Sequence, residues 1–285
     1  MGSNNNHYPT LESIWSAIKH IDGATLLDAK DILTAAKFFP KGLNKAAVTF
    51  RTTSLINQFC IGTPAQLLVG VTQFMGLPMC VAKKVLLPRP ETERLVEIML
   101  LDLKTHHNGA PVRILELGAG TGAIALSLAK FYSNCQVYSW DISKKAIRLS
   151  EKNKQHLNIP NVTFIHNSFF SDVPRSWTQE SPIPTYVVSN PPYIPTDTCL
   201  KLSPSVLQND PKRALNGGND GLYFHRRLIQ IAARTQWPLY LEIGFDQGPH
   251  IKTLAENAGC SSTIFPDYSG LDRVAIVRSH DVISA

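Results

Sequence analysis

The chain has no Cys-x-x-Cys pair, no apolar run of the roughly 18 residues that a membrane span needs, and no block of clustered lysine or arginine. Its five cysteines (Cys60, Cys80, Cys135, Cys199 and Cys260) are widely spaced and odd in number. That argues against a disulfide framework and a cysteine zinc site, and for a reducing compartment. Of nine histidines only His106 and His107 are close, in a polar stretch read as a solvated loop, so no metal is expected. The first seven residues lack the apolar core of a signal peptide and the Arg-rich character of a transit peptide. Position 6 is Asn6 where a myristoylation start wants Ser or Thr, so no leader or anchor is expected there.

What is present is globular. With 44% hydrophobic and 18% charged residues, the 285-residue chain can bury a sizeable core and fits one α/β domain plus a smaller unit. Its net charge of +6 is compatible with an acidic or nucleic-acid-bearing partner, but the basic residues are dispersed.

Residues 8–70 read as helices. Thr10 can cap the first, and Thr25 with Asp28 has the capping-box spacing for a second, whose stripe is expected to be Leu26, Ala29, Leu33 and Ala36. A third helix is expected over 44–60 and a short one over 65–68. Residues 71–75 and 77–81, about Gly76, read as a β-hairpin. Past the prolines at 88 and 90, the acidic residues Glu91 and Glu93 begin a helix that carries Leu95, Val96, Met99, Leu100 and Leu103 on one face. Strands at 112–117, 136–140, 162–165, 186–188 and 239–243 then alternate with helices, and 262–265 with 273–278 closes as an antiparallel pair. Residues 195–220 read as a loop. Alternation of this kind gives a mostly parallel sheet covered on both faces. The expected division is a helical unit over 1–70, a hairpin linker over 71–88 and the main domain over 89–285.

Two motifs carry chemistry. Glu116-Leu117-Gly118-Ala119-Gly120-Thr121-Gly122 joins a strand to a helix, where glycines let backbone approach a ligand at the helix N-terminus. Asp141 ends the next strand about 20 residues on, where a carboxylate can take both ribose hydroxyls, and Phe169 follows the third strand, where a ring can cover adenine. The G-x-G-x-G spacing lacks the third glycine position of dinucleotide folds and suits a ribose ligand without pyrophosphate, such as S-adenosylmethionine. Each piece also has a purely structural use: tight packing for the glycines, a cap for Asp141, core for Phe169. The second motif is Asn190-Pro191-Pro192-Tyr193. A buried strand stops at two prolines, leaving one side-chain amide, carbonyls without competing N–H groups, and an aromatic wall. The Asn190 side-chain oxygen and the Pro191 carbonyl can each accept one hydrogen of a planar NH2 group.

In this order the motifs resemble a class I S-adenosylmethionine-dependent methyltransferase. More narrowly, Leu86-Leu87-Pro88-Arg89-Pro90-Glu91-Thr92-Glu93, with Asn190-Pro191-Pro192-Tyr193-Ile194-Pro195, is similar to the PrmC/HemK family of N5-glutamine methyltransferases of peptide chain release factors. Further matches are Asp210-Pro211, Gly217-Gly218 to Asp220-Gly221, and Glu242-Ile243-Gly244 to Gln247-Gly248. Two departures stand out: Ser168 replaces an acidic residue common before the aromatic, and Asp210 stands where Glu is usual. The resemblance implies a Rossmann-like, mostly parallel seven-stranded sheet with a small N-terminal helical domain joined by a β-hairpin. It implies S-adenosyl-L-methionine held by Glu116, Gly118, Ala119, Gly120, Thr121, Gly122, Asp141, Phe169 and Asn190, and catalysis at Asn190, Pro191, Pro192 and Tyr193. The substrate would be the glutamine of the Gly-Gly-Gln loop of a class 1 release factor, docked by the N-terminal helices, in support of translation termination. A monomer without direct nucleic-acid or membrane binding is expected, and the basic pI of about 9.0 with an atypical hairpin points to a mitochondrial site, the cytoplasm being the alternative. The rival reading is an N6-adenine DNA or RNA methyltransferase, whose target NH2 is equally planar; it calls for base flipping and a basic groove.

Overall fold

The computed structural model describes residues 10–21, 24–37, 45–173 and 183–280. At the N-terminal end come α1 (Leu11–Ile18), α2 (Leu26–Lys37), α3 (Lys45–Cys60) and α4 (Ala65–Val69). Two of their starts are set locally. The Thr10 amide donates to Ser13 Oγ (2.9 Å) and the Ser13 amide to Thr10 Oγ1 (3.1 Å), while Thr25 and Asp28 make the same exchange at 2.7 and 3.2 Å. Amides that a first helical turn leaves without partners are thereby satisfied.

Ile14 and Ile18 of α1, Ala29, Ile32 and Ala35 of α2, and Leu55 of α3 form a small core. The α2 stripe thus differs from expectation: Leu26 is 54% exposed, Leu33 is only half-buried, and Ile32 and Ala35 face inward instead. Ala36 lies outside the described side chains. Two stripes one residue apart satisfy the helical period equally well, and packing against α1 and α3 selects between them.

The hairpin pairs β1 (Val71–Phe74) with β2 (Leu77–Cys80). Met75 (φ 51°) and Gly76 (φ 72°) both take the left-handed region, as a two-residue hairpin turn of the favoured hand requires. Helix α5 (Pro90–His107) follows, with Pro90 in its first turn and Leu95, Met99 and Leu103 fully buried. His106 and His107, expected in a loop, form its last turn, where histidines sit well against the helix dipole.

The remaining strands are β3 (Val112–Leu117), β4 (Cys135–Asp141), β5 (Val162–His166), β6 (Thr185–Ser189), β7 (Leu239–Glu242), β8 (Cys260–Pro266) and β9 (Asp272–Ser279). They make one seven-stranded sheet in the order β5-β4-β3-β6-β7-β9-β8. The pairs from β5 to β7 are parallel, and β9 runs antiparallel to both β7 and β8. This is the class I methyltransferase sheet expected above. Between strands run α6 (Ala123–Phe131), α7 (Lys144–Leu157), α8 (Tyr223–Thr235) and α9 (Gly248–Asn257). Leucines and alanines of α5 and α6 fill one core, and Leu228, Ile229, Ala232, Ile251 and Ala255 of α8 and α9 fill the other, so the sheet is covered on both faces. The 195–220 stretch is more ordered than a loop, with helical turns at Thr196–Cys199 and Pro204–Asn209. Because β4 and β6 flank β3, the chain reverses direction across the sheet there, and a crevice opens at the strands' carboxyl ends.

Candidate active site

The turn after β3 is pinned to its neighbour: the Gly118 and Ala119 amides donate to the Trp140 carbonyl at 2.8 and 3.0 Å. Gly118 has φ +95°, and a Cβ there would stand 3.3 Å from Phe169 Cζ and 3.7 Å from the Asn190 carbonyl oxygen. Only glycine leaves that space open. Gly118, Gly120, Asp141, Phe169, Asn190 and Pro192 line a cleft. Glu116, Gly118, Ala119, Gly120, Thr121 and Asn190 line a second, smaller one, joined to the first through shared residues. Asp141 accepts from the Gly120 amide (3.0 Å) and the Ser143 amide (2.7 Å). A carboxylate has about four acceptor sites, so both oxygens keep capacity for a diol. Burial raises its pKa, and those two amides pull it back down.

Glu116 is buried and accepts from the Ser139 hydroxyl through Oε2, while its Oε1 has no partner. Burial pushes its carboxyl up to about 8, against the Ser139 hydrogen bond. An orphaned acceptor beside a cleft fits a ligand that brings a donor or a cation.

Gly122 was expected to face the ligand and does not. It caps α6 at φ +82°, and a Cβ there would meet Phe164 and Ser150 at 2.9 Å. Its role is helix packing. Ser168 turns away too, its Oγ accepting from the Phe170 amide at 3.1 Å. The sequence reading missed Ile142, Phe224 and Arg213, which also line the larger cleft. Phe224 stacks obliquely on Phe169 with centroids 5.2 Å apart. Phe224 sits beside the glycine-rich 217–221 stretch, a signal that was available but pointed at no ligand.

Strand β6 ends at Ser189, whose hydroxyl donates to the Leu117 carbonyl at 2.6 Å and ties the second motif to the first. Asn190 lines both clefts. Its Nδ2 donates to Thr92 Oγ1 (3.1 Å), and the Thr92 hydroxyl donates to Glu242 Oε2 (2.6 Å). The Tyr193 hydroxyl donates to Glu242 Oε1 at 3.2 Å. Pro191 is buried and Tyr193 half-buried, and neither is among the residues lining the two clefts; the expected aromatic wall is anchored by its hydroxyl behind the loop.

The family-like matches explain themselves as clamps on this loop. Ile194 N–H donates to the Leu215 carbonyl (3.0 Å), Gly217 N–H to the Ile194 carbonyl (2.9 Å), and Gln247 Nε2 to the Tyr193 carbonyl (3.0 Å). A Cβ on Gly217 would lie 2.7 Å from the Pro192 carbonyl oxygen. The Pro-Arg-Pro-Glu-Thr-Glu stretch is a hub. Arg89 pairs with buried Asp210 (2.8 Å), Thr92 reaches Glu242, and Glu93 accepts the hairpin's Met75 amide at 2.6 Å. A shorter Asp in place of Glu at 210 still reaches its partner.

Among the described residues there is no group of His, Cys, Asp and Glu able to hold a metal ion, and no helix is long and apolar enough to cross a membrane.

A family described as "Methyltransferase domain" matches residues 109–214. A release factor glutamine methyltransferase of Thermodesulfovibrio yellowstonii is 35% identical over 229 residues, covering 79% of this chain and 80% of that protein. One from Moorella thermoacetica is 37% identical, covering 80% of this chain and 79% of that protein. Among solved structures, the hMettl16 catalytic domain in complex with MAT2A 3'UTR hairpin 6 shares the fold, with TM-score 0.53 and 15% identity over 72% of this chain and 76% of that one. At this identity and coverage to its curated relatives, the chain belongs to the family of release factor glutamine methyltransferases.

Proposed function

We propose that this chain methylates the side-chain nitrogen of the glutamine in the Gly-Gly-Gln loop of a class 1 peptide chain release factor, using S-adenosyl-L-methionine. The observation that carries it is the polarity of Asn190. Its NH2 is committed to Thr92, which leaves Oδ1, a bare acceptor, at the junction of the two clefts.

S-adenosyl-L-methionine supplies a methyl group already bonded to a good leaving group. The residues present fit it: Asp141 for the ribose hydroxyls, Phe169 and Phe224 for a flat base, the Gly118 and Gly120 backbone for close approach, and the orphaned Glu116 Oε1 for a cationic amino group. The protein's own task is alignment. An amide nitrogen is a poor nucleophile because its lone pair is delocalised into the carbonyl. Asn190 Oδ1 and the Pro191 carbonyl accept its two hydrogens, orient the nitrogen, and stabilise the positive charge that develops on it. No base is needed before attack, because the N-methylated product is acidic enough to lose its proton afterwards. Pro191 and Pro192 keep the loop stiff, and Tyr193 holds it to Glu242.

In this reading residues 1–70 dock the release factor, 71–88 link, and 89–285 carry the chemistry. The basic pI of about 9.0 and the atypical hairpin support a mitochondrial site, which a fluorescent fusion imaged against a mitochondrial marker tests. The reaction is tested with labelled S-adenosyl-L-methionine offered with a release factor, its loop Gln→Ala variant, and duplex DNA. Label is expected on the intact factor only. Label on DNA would replace this reading with the N6-adenine one.

A further inference from the structure

We propose that Thr92 and Glu242 are positioning residues that dictate which way round the Asn190 amide faces. The inference rests on the functional reading above, for which the carboxamide must present oxygen, not nitrogen, to the substrate. Nothing local to Asn190 enforces that choice. A carboxamide is nearly symmetric in shape, and rotation by 180° would present an NH2 to the NH2 of the incoming glutamine, donor against donor.

The bond directions settle it. Glu242 ends β7 and is 1% exposed, with its two oxygens taking separate hydroxyl donors: Thr92 at 2.6 Å and Tyr193 at 3.2 Å. In its charged form Glu242 only accepts, so the single Thr92 proton is then spent on it. The Thr92 oxygen can then only accept from Asn190, which demands Nδ2 at the 3.1 Å contact and turns Oδ1 outward. Polarity therefore passes from a buried charge, through one hydroxyl, to the amide at the cleft. The chain is assembled from α5, β7 and the loop after β6, and all three ends are fixed: Thr92 is 4% exposed in the first turn of α5, while Tyr193 is clamped by Gln247. Burial pushes the Glu242 carboxyl up to about 7, against the Thr92 and Tyr193 hydrogen bonds and the positive field of Arg273 of β9, which pairs with Asp267 at 3.2 Å; the relay is therefore set in the charged form of Glu242, above that pH.

Thr92→Val keeps shape and volume but deletes the hydroxyl, and Thr92→Ser restores the hydroxyl while deleting a methyl. With the full-length enzyme and a release factor, Thr92→Val is expected to lower kcat about 10- to 100-fold, the effect of losing one charge-assisted hydrogen bond. The Kd for S-adenosyl-L-methionine should stay within about threefold and Thr92→Ser should recover most of the rate. The double variant Thr92→Val/Glu242→Ala should be no slower than the worse single variant, because one relay is broken once. A second readout needs no substrate: the Asn190 side-chain NH2 signals in 15N-labelled protein, identified by their loss in Asn190→Asp. They are expected to move in Thr92→Val and hold in Thr92→Ser. Wild-type kcat in Thr92→Val, equal impairment of Val and Ser, or NH2 signals indifferent to Thr92→Val would each overturn the relay. If the wild type labels no release factor yet the NH2 signals follow this pattern, the relay stands and the substrate assignment alone falls.

Discussion

Gly120 and Gly122 stand two residues apart in one motif, both with positive φ, yet the structure gives them opposite phenotypes. At Gly120 (φ +54°) an added Cβ meets nothing within 4 Å, because it would point into the clefts the residue lines. Gly120→Ala therefore costs the fold only left-handed strain, about 1 kcal/mol. At Gly122 (φ +82°) the same methyl meets Phe164 Cζ and Ser150 Cβ at 2.9 Å and Leu126 Cδ1 at 3.1 Å, all in packed interior. Strain of about 1–2 kcal/mol and overpacking of about 1–3 kcal/mol then add to about 3 kcal/mol. In a domain of this size, about 2–4 °C per kcal/mol places the fall in Tm near 6–12 °C, against about 2–4 °C for Gly120→Ala. Cofactor binding runs the other way. Gly120→Ala should weaken S-adenosyl-L-methionine at least about tenfold by filling its space, while folded Gly122→Ala should bind within about threefold. Calorimetry of unfolding and titration calorimetry on the two purified variants decide it. Gly120→Ala binding like wild type, or Gly122→Ala melting with wild type, would refute the division of labour between these glycines.

Asn190→Ala is expected to cut transfer to the release factor about 10²- to 10³-fold, the usual loss for one preorganised partner of developing charge, with cofactor binding largely kept; full activity would remove Asn190 from the mechanism. Glu116 carries a pH signature. Its carboxyl rises on folding from 4.5 to about 8, so between those values the folded state holds a proton that the unfolded chain has lost. Its contribution is whole below pH 4.5 and is lost as pH rises through about 8, so cofactor-free Glu116→Gln should out-melt wild type at pH 8 and match it at pH 4.5. Equal melting at pH 8 would contradict the burial argument. Phe224→Ala should raise the cofactor Kd about 3- to 10-fold by removing one wall of the larger cleft, and an unchanged Kd would exclude it from the adenine side.

Much of this protein was legible without coordinates. Alternating strand and helix periods announced a parallel sheet, because burial on both faces forces apolar runs between amphipathic helices. Glycines after Leu117 and prolines after Asn190 marked the ligand ends of two strands, because those residues act through φ alone, a property of one position. The capping pairs at Thr10 and Thr25 were equally local. What sequence alone left open depends on contacts between distant segments. It could not choose between adjacent stripes on α2, separate Gly122 from Gly120, or join Arg89 to Asp210. Least of all could it orient Asn190, whose partner Thr92 lies 98 positions away and hands its own proton to Glu242 a further 150 along. Periodicity and turn chemistry report a residue's immediate neighbours, whereas the direction of a hydrogen bond belongs to the pair it joins, and only folding decides which pairs exist.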